Sequence, residues 1–95
     1  MIYTGNQDVS TAGTRVALAS SRTIAAWVIV QSKAANVGTI YVAGIDVSSS
    51  NGIDLLGGDS TTFPSMGAIH GYDLQHIYID ASVNGEGVKF TYGRF

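Results

Sequence analysis

The chain has 95 residues, a formal net charge of −2, 45% hydrophobic residues, 13% charged residues and no cysteine. That length makes one domain. The charged share lies well below the roughly 25% of an ordinary soluble domain. The acidic balance and the scattered basic residues Arg15, Arg22, Lys33, Lys89 and Arg94 exclude the basic footprint of a nucleic-acid binder, and the lack of cysteine excludes disulfides and thiol chemistry.

Ser, Thr, Asn and Gly take the place of the missing charge. A free monomer keeps itself soluble with surface charge, so this composition predicts a surface largely covered by copies of itself or by a larger assembly. The N-terminus has neither the basic region nor the apolar region of a signal peptide, so synthesis in the cytoplasm is expected. The longest apolar run, Ile24 to Val30, is too short to cross a bilayer, and no membrane partner is expected.

Residues 1–14 are polar and turn-rich, with Ile2, Tyr3 and Val9 as the apolar anchors. They read as an N-terminal arm that is either frayed or draped over a neighbouring chain, and Ile2, Tyr3 and Val9 are its candidate docking residues. Residues 15–95 read as a single β-sandwich domain. In Thr14 to Ala19, Val16 and Leu18 share one face. Thr23 to Ser32 reads as one strand, with Ile24, Ala26, Val28 and Val30 on one side and Ala25, Trp27, Ile29 and Gln31 on the other. Antiparallel sheets usually have one dry face and one wet face. A strand apolar on both sides needs cover on both, which makes Ala25, Trp27, Ile29 and Gln31 the candidate subunit interface.

Lys33 to Gly38 reads as a hairpin connection into a strand from Thr39 to Ala43. Asn51-Gly52 is a tight-turn signal, because both residues tolerate positive φ. Ile53 and Leu55 form a short strand, and Gly57 to Ser60 turns the chain into Thr61 to Phe63, which Pro64 ends. Residues 65–71 are a loop in which Met66 and Ile69 are candidate plugs. Leu74 to Ala81 reads as a strand with Ile77 and Ile79 on one face. Asn84-Gly85 opens a last hairpin into a strand with Val88, Phe90 and Tyr92 inward and Lys89 and Thr91 outward. The Ile-Tyr core of Ile40-Tyr41 returns at Ile77-Tyr78. Seven to eight short strands without a helical period predict an all-β, antiparallel sandwich or jelly roll.

No catalytic pattern stands out. Ser60, His70 and Asp73 supply the residue types of a triad, but no Gly-x-Ser-x-Gly elbow is present. His76, Tyr78 and Asp80 alternate as if on one strand face, yet a metal site needs a third ligand at a defined spacing. Asp46, Asp54 and Asp59 lack a calcium-loop pattern, and Gly57-Gly58 is not followed by the Lys-Ser/Thr of a phosphate loop. No enzyme activity, cofactor or metal is expected. Tyr3, Trp27, Tyr41, Tyr72, Tyr78 and Tyr92 are large amphipathic rings; a sugar-stacking platform is one use for them, core or interface packing the simpler one.

The pattern Gly-x-Ile-Tyr-Val-x-Gly-x-x-Val-Ser, then Gly-Ile-x-Leu-x-x-Gly-Asp-Ser, then Ile-Tyr-Ile-x-Ala resembles small virion proteins of tailed bacteriophages, of the head-decoration, cement or head-fibre type. It is carried by Gly38, Ile40, Tyr41, Val42, Gly44, Val47, Ser48, Gly52, Leu55, Gly58, Asp59, Ser60, Ile77, Tyr78, Ile79 and Ala81. The resemblance spans residues 22–95, and Gly57 stands where such proteins often have proline. It implies a homotrimer that binds the major capsid protein and reinforces the head from its outer surface. A carbohydrate- or host-receptor-binding fibre module is the alternative. The location implied is the virion.

Overall fold

The computed structural model describes residues 1–65 and 71–94. Its strands, in chain order, are β1 (Ile2–Asp8), β2 (Val16–Ala17), β3 (Ile24–Ala25), β4 (Trp27–Ser32), β5 (Ile40–Ala43), β6 (Ile53–Leu55), β7 (Ser60–Phe63), β8 (Tyr72–Asp73), β9 (Tyr78–Ala81) and β10 (Gly87–Gly93); a single 3₁₀ turn, Leu74–His76, precedes β9. The chain is all-β. A front sheet has the order β1-β10-β4-β7, a back sheet the order β2-β9-β5-β6, and β3 and β8 form a separate pair. Every pairing is antiparallel.

The inner faces of the two sheets share one core, as in a β-sandwich. Val28 and Val30 of β4 and Val88 and Phe90 of β10 meet Ile40 and Val42 of β5, Leu55 of β6, and Ile79 and Ala81 of β9; Val9, Leu18, Ala25, Leu74 and Ile77 close the ends. Each fully buried Val, Leu or Ile contributes roughly 1.5–3 kcal/mol of transfer free energy. The alternation read from Val88 to Tyr92 holds: Val88 and Phe90 are buried, while Lys89 is exposed.

Residues 1–14 do not form an arm. β1 pairs with β10 over its whole length, from Ile2↔Gly93 to Asp8↔Gly87. Its inward side carries Tyr3, whose ring stacks on Tyr92 at 5.4 Å. Gly5 lies opposite Phe90, and a Cβ there would fall 2.5 Å from the Phe90 ring. Val9 is completely buried, donates its N–H to the Glu86 carbonyl and accepts from Gly85 N–H. The segment looks unanchored in sequence because a glycine makes room for a ring supplied by another strand.

Thr23 to Ser32 is not one strand. The chain bends at Ala26, whose N–H donates to the Gly93 carbonyl at 2.6 Å. β3 leaves to pair with β8, and β4 joins the front sheet. The bend shifts the alternation by one residue, so Ala25, Val28 and Val30 are all buried. Ala25 therefore belongs to the core and not to a subunit interface.

The expected hairpins largely become crossings between sheets. Asn84-Gly85 does turn tightly, with Gly85 at φ +82 and Glu86 N–H donating to the Val83 carbonyl. It carries the chain from β9 in the back sheet to β10 in the front sheet. Residues 33–39 likewise lead from β4 in the front sheet to β5 in the back sheet. The β5–β6 hairpin does form, with Val42 opposite Ile53. Its tip is Ser49-Ser50, closed by reciprocal Ser48–Asn51 backbone bonds of 3.2 Å, so Asn51-Gly52 is not the turn itself. Gly52 sits at φ +124 with the Val42 carbonyl 2.9 Å from where a Cβ would stand, so glycine fits there. Met66, Ile69 and His70 lie outside the described residues.

Candidate assembly surface

Opposed residues in antiparallel strands point to the same side of the sheet. The outer side of the front sheet can therefore be read row by row. One row holds Ile2, Gly93 and Trp27. The next holds Thr4, Thr91, Ile29 and Thr62, and the third Asn6, Lys89, Gln31 and Ser60. Lys89 is the sole charged residue in these rows. Asp8 follows at the end of β1, paired with Lys33 at 2.8 Å.

The face grades from apolar to polar. Trp27 covers Gly93: a Cβ on Gly93 would come within 2.5 Å of Trp27 Cε2 and 2.9 Å of Cζ2. With nothing but a glycine beneath it, the indole packs close against β10. Ile2, across Gly93 from Trp27, is exposed, and Ile29 keeps 38% of its surface in solvent. Further along lies a depression of about 400 Å³ lined by Thr4, Asn6, Ile29, Gln31, Lys89 and Thr91, with Gly5 and Phe90 contributing to its wall.

Three of the four residues expected to share an exposed face do so. Trp27, Ile29 and Gln31 alternate along β4 on the outer side, with Trp27 and Gln31 half-buried, while Ala25 does not join them. Of the expected arm residues, Ile2 reaches this face; Tyr3 and Val9 point to the inner side. Thr4 and Asn6 escape sequence reading because β1 does not look like a strand. Lys89 and Thr91 follow from the alternation of β10.

The other chemistry-bearing residues do not converge. His76 sits exposed in the 3₁₀ turn, with Nδ1 3.9 Å from Asp73 Oδ2, and shares no strand with Tyr78 and Asp80. Asp73 caps that turn, accepting from Gln75 N–H at 3.0 Å and Thr23 N–H at 3.1 Å. Burial opposes ionisation of its carboxyl. The two backbone donors and the nearby His76 and Arg22 outweigh burial and hold its pKa below the ordinary value. Asp80, on the outer side of the back sheet, is buried and accepts from Gly13 N–H at 2.9 Å and Ala81 N–H at 2.8 Å. It pins the loop after β1. Tyr41 lies between Asp54 and Asp80 in register, and Tyr78 packs under the Arg15 guanidinium at 5.9 Å. Asp59 accepts from Leu56 N–H within its own turn. Among the described residues, no three His, Asp or Glu side chains are grouped to hold a metal, and no helix is long and apolar enough to cross a membrane.

Comparison with protein-family models, with curated proteins and with solved structures finds no match to this chain.

Proposed function

We propose that the chain is a non-catalytic decoration protein of a tailed-bacteriophage head, which associates as a homotrimer and reinforces the shell by binding the major capsid protein. The observation that carries this reading is the outer side of the front sheet. Its rows hold Thr, Ser, Asn and Gln around Trp27 and Ile29, with Lys89 the sole charge. Such a surface is cheap to desolvate, since burying an unpaired charge is the expensive part of forming an interface. The winding lends further support. With β3 and β8 set aside, the remaining eight strands in chain order fall as 1-8-3-6 in one sheet and 2-7-4-5 in the other. That is jelly-roll order, an architecture used in viral capsid and lectin domains.

The mechanism is added contact area across junctions between capsomers. Each 1,000 Å² of apolar surface removed from water is worth on the order of 25 kcal/mol before the large costs of association. A small clamp present in many copies therefore shifts the resistance of the whole shell. The test is to prepare particles without the protein. They are expected to assemble but to lose their contents at lower temperature or lower salt than complete particles. Particles equally robust but unable to adsorb to host cells would replace this reading with a receptor-binding one.

A further inference from the structure

We propose that β1 is an edge built for strand-to-strand pairing, and that its occupant is the β1 of a second copy, joined antiparallel about a twofold axis through Gly5. The sandwich has four sheet edges: β1 and β7 in front, β2 and β6 behind. Exposed edges are normally guarded by brevity, a charged side chain, proline or a bulge, because their free N–H and C=O groups recruit other strands. Three of these edges are guarded. β2 has two residues and follows Arg15; β6 has three and carries Asp54; β7 has four and ends against Pro64.

β1 lacks these guards. It runs seven residues in unbroken register with β10, so no bulge twists it away. It contains no lysine, arginine or proline. Its one charge, Asp8, is at its end and bound to Lys33. The strand is also held rigid for pairing: Tyr3 stacks on Tyr92, Gly5 seats on Phe90, and Arg94 N–H donates to the Met1 carbonyl.

The sequence of β1 is self-complementary in that register. Gly5 meets Gly5 of the second copy, each Thr4 meets an Asn6, each Tyr3 a Gln7 and each Ile2 an Asp8. No like charges are apposed. Odd residues meet odd and even meet even, so inward side chains of both copies lie on the same side and the two front sheets continue into one. The contact uses backbone groups of β1, at the border of the face around Trp27, to which Thr4 and Asn6 contribute side chains. It holds whether or not that face packs into trimers, and within an assembly it would link one oligomer to the next.

The test exploits the absence of cysteine in the natural chain. In the proposed register Thr4 and Asn6 of two copies have Cα atoms about 4.5–5.5 Å apart, within the roughly 4.4–6.8 Å that a disulfide spans. The variant T4C/N6C should give a covalent dimer on mild oxidation, and S60C/T62C on the opposite edge should not. The background substitution W27K should leave the cross-link intact while disrupting any contact through the face. Should the cysteine variant fail to fold, T4K/N6K and T4E/N6E in the W27K background, where contact through the face is already disrupted, answer the same question: each alone should show a smaller mass by light scattering than W27K itself, and an equimolar mixture should recover it. No dimer from T4C/N6C, equal dimer from S60C/T62C, or no recovery on mixing the charged variants would overturn the proposal.

Discussion

Replacing Gly5 with alanine tests the docking of β1 through the sign of its effect. Gly5 has no positive φ, so alanine fits its backbone. In a free arm, or in a strand with open space beside it, Gly5→Ala would be neutral or would stabilise by about 0.4–1 kcal/mol through the unfolded chain. In this fold the new methyl group falls 2.5 Å from Phe90 Cζ, 2.9 Å from Cε2 and 3.1 Å from Cε1. Phe90 is 7% exposed and wedged in the core, so its ring cannot swing away without displacing neighbours. Overpacking of this kind costs about 1–3 kcal/mol. For a domain of this size each kcal/mol lowers Tm by roughly 4–8 °C. The double variant G5A/F90L should recover part of the loss, because leucine leaves space where the ring edge was. Urea unfolding followed by fluorescence of Trp27, the single tryptophan, measures both variants against the natural chain. A G5A variant as stable as the natural chain, or more so, would refute the docking of β1 on β10.

Ile79 is fully buried between the sheets, so Ile79→Ala should cost about 2–5 kcal/mol in the same assay. Asp73 ionises more readily in the fold than in the unfolded chain. Its contribution is therefore present above the unfolded carboxyl's pKa of about 4 and is lost as pH falls through the lower folded value. Asp73→Asn should make stability less dependent on pH across that acidic window, and an unchanged acid-unfolding profile would contradict the role assigned to its two backbone donors. Trp27→Lys places a charge at the apolar end of the face while Gly93 remains beneath the side chain. It should break the proposed contact through that face and lower the mass in solution, with the far-ultraviolet circular dichroism unchanged, and an unchanged mass would mean that the face is not between subunits.

What the sequence made legible follows physical range. β10 was readable because its inner and outer neighbours differ: Val88 and Phe90 meet the core, and Lys89 meets solvent. The all-β class was readable because β-branched runs separated by Gly, Asn and Pro have no other stable use. Ala26 was not readable as a bend, because every residue from Ile24 to Val30 is apolar and no local signal says where the alternation slips. Asn84-Gly85 was readable as a turn but not as a crossing, because the sheet that β10 joins is decided by β1 and β4, far away in the chain. β1 is the least legible strand. Its inner side reads Tyr3, Gly5, Gln7, Val9, and the apolar bulk that fills the place of a Gly5 side chain belongs to Phe90, 85 positions later. The candidate face was half legible: Trp27, Ile29 and Gln31 could be named from β4 alone, but Thr4 and Asn6 depended on β1 being a strand.

In its proposed role this domain is a building part of a phage particle, present in fixed number on its shell. Quantitative mass spectrometry of purified particles tests it most directly. The proposed role predicts that the protein copurifies with the head at a constant ratio to the major capsid protein and stays in that ratio after washing at moderate salt. Purified particles that lack the protein, or carry it in amounts that vary between preparations, would contradict it.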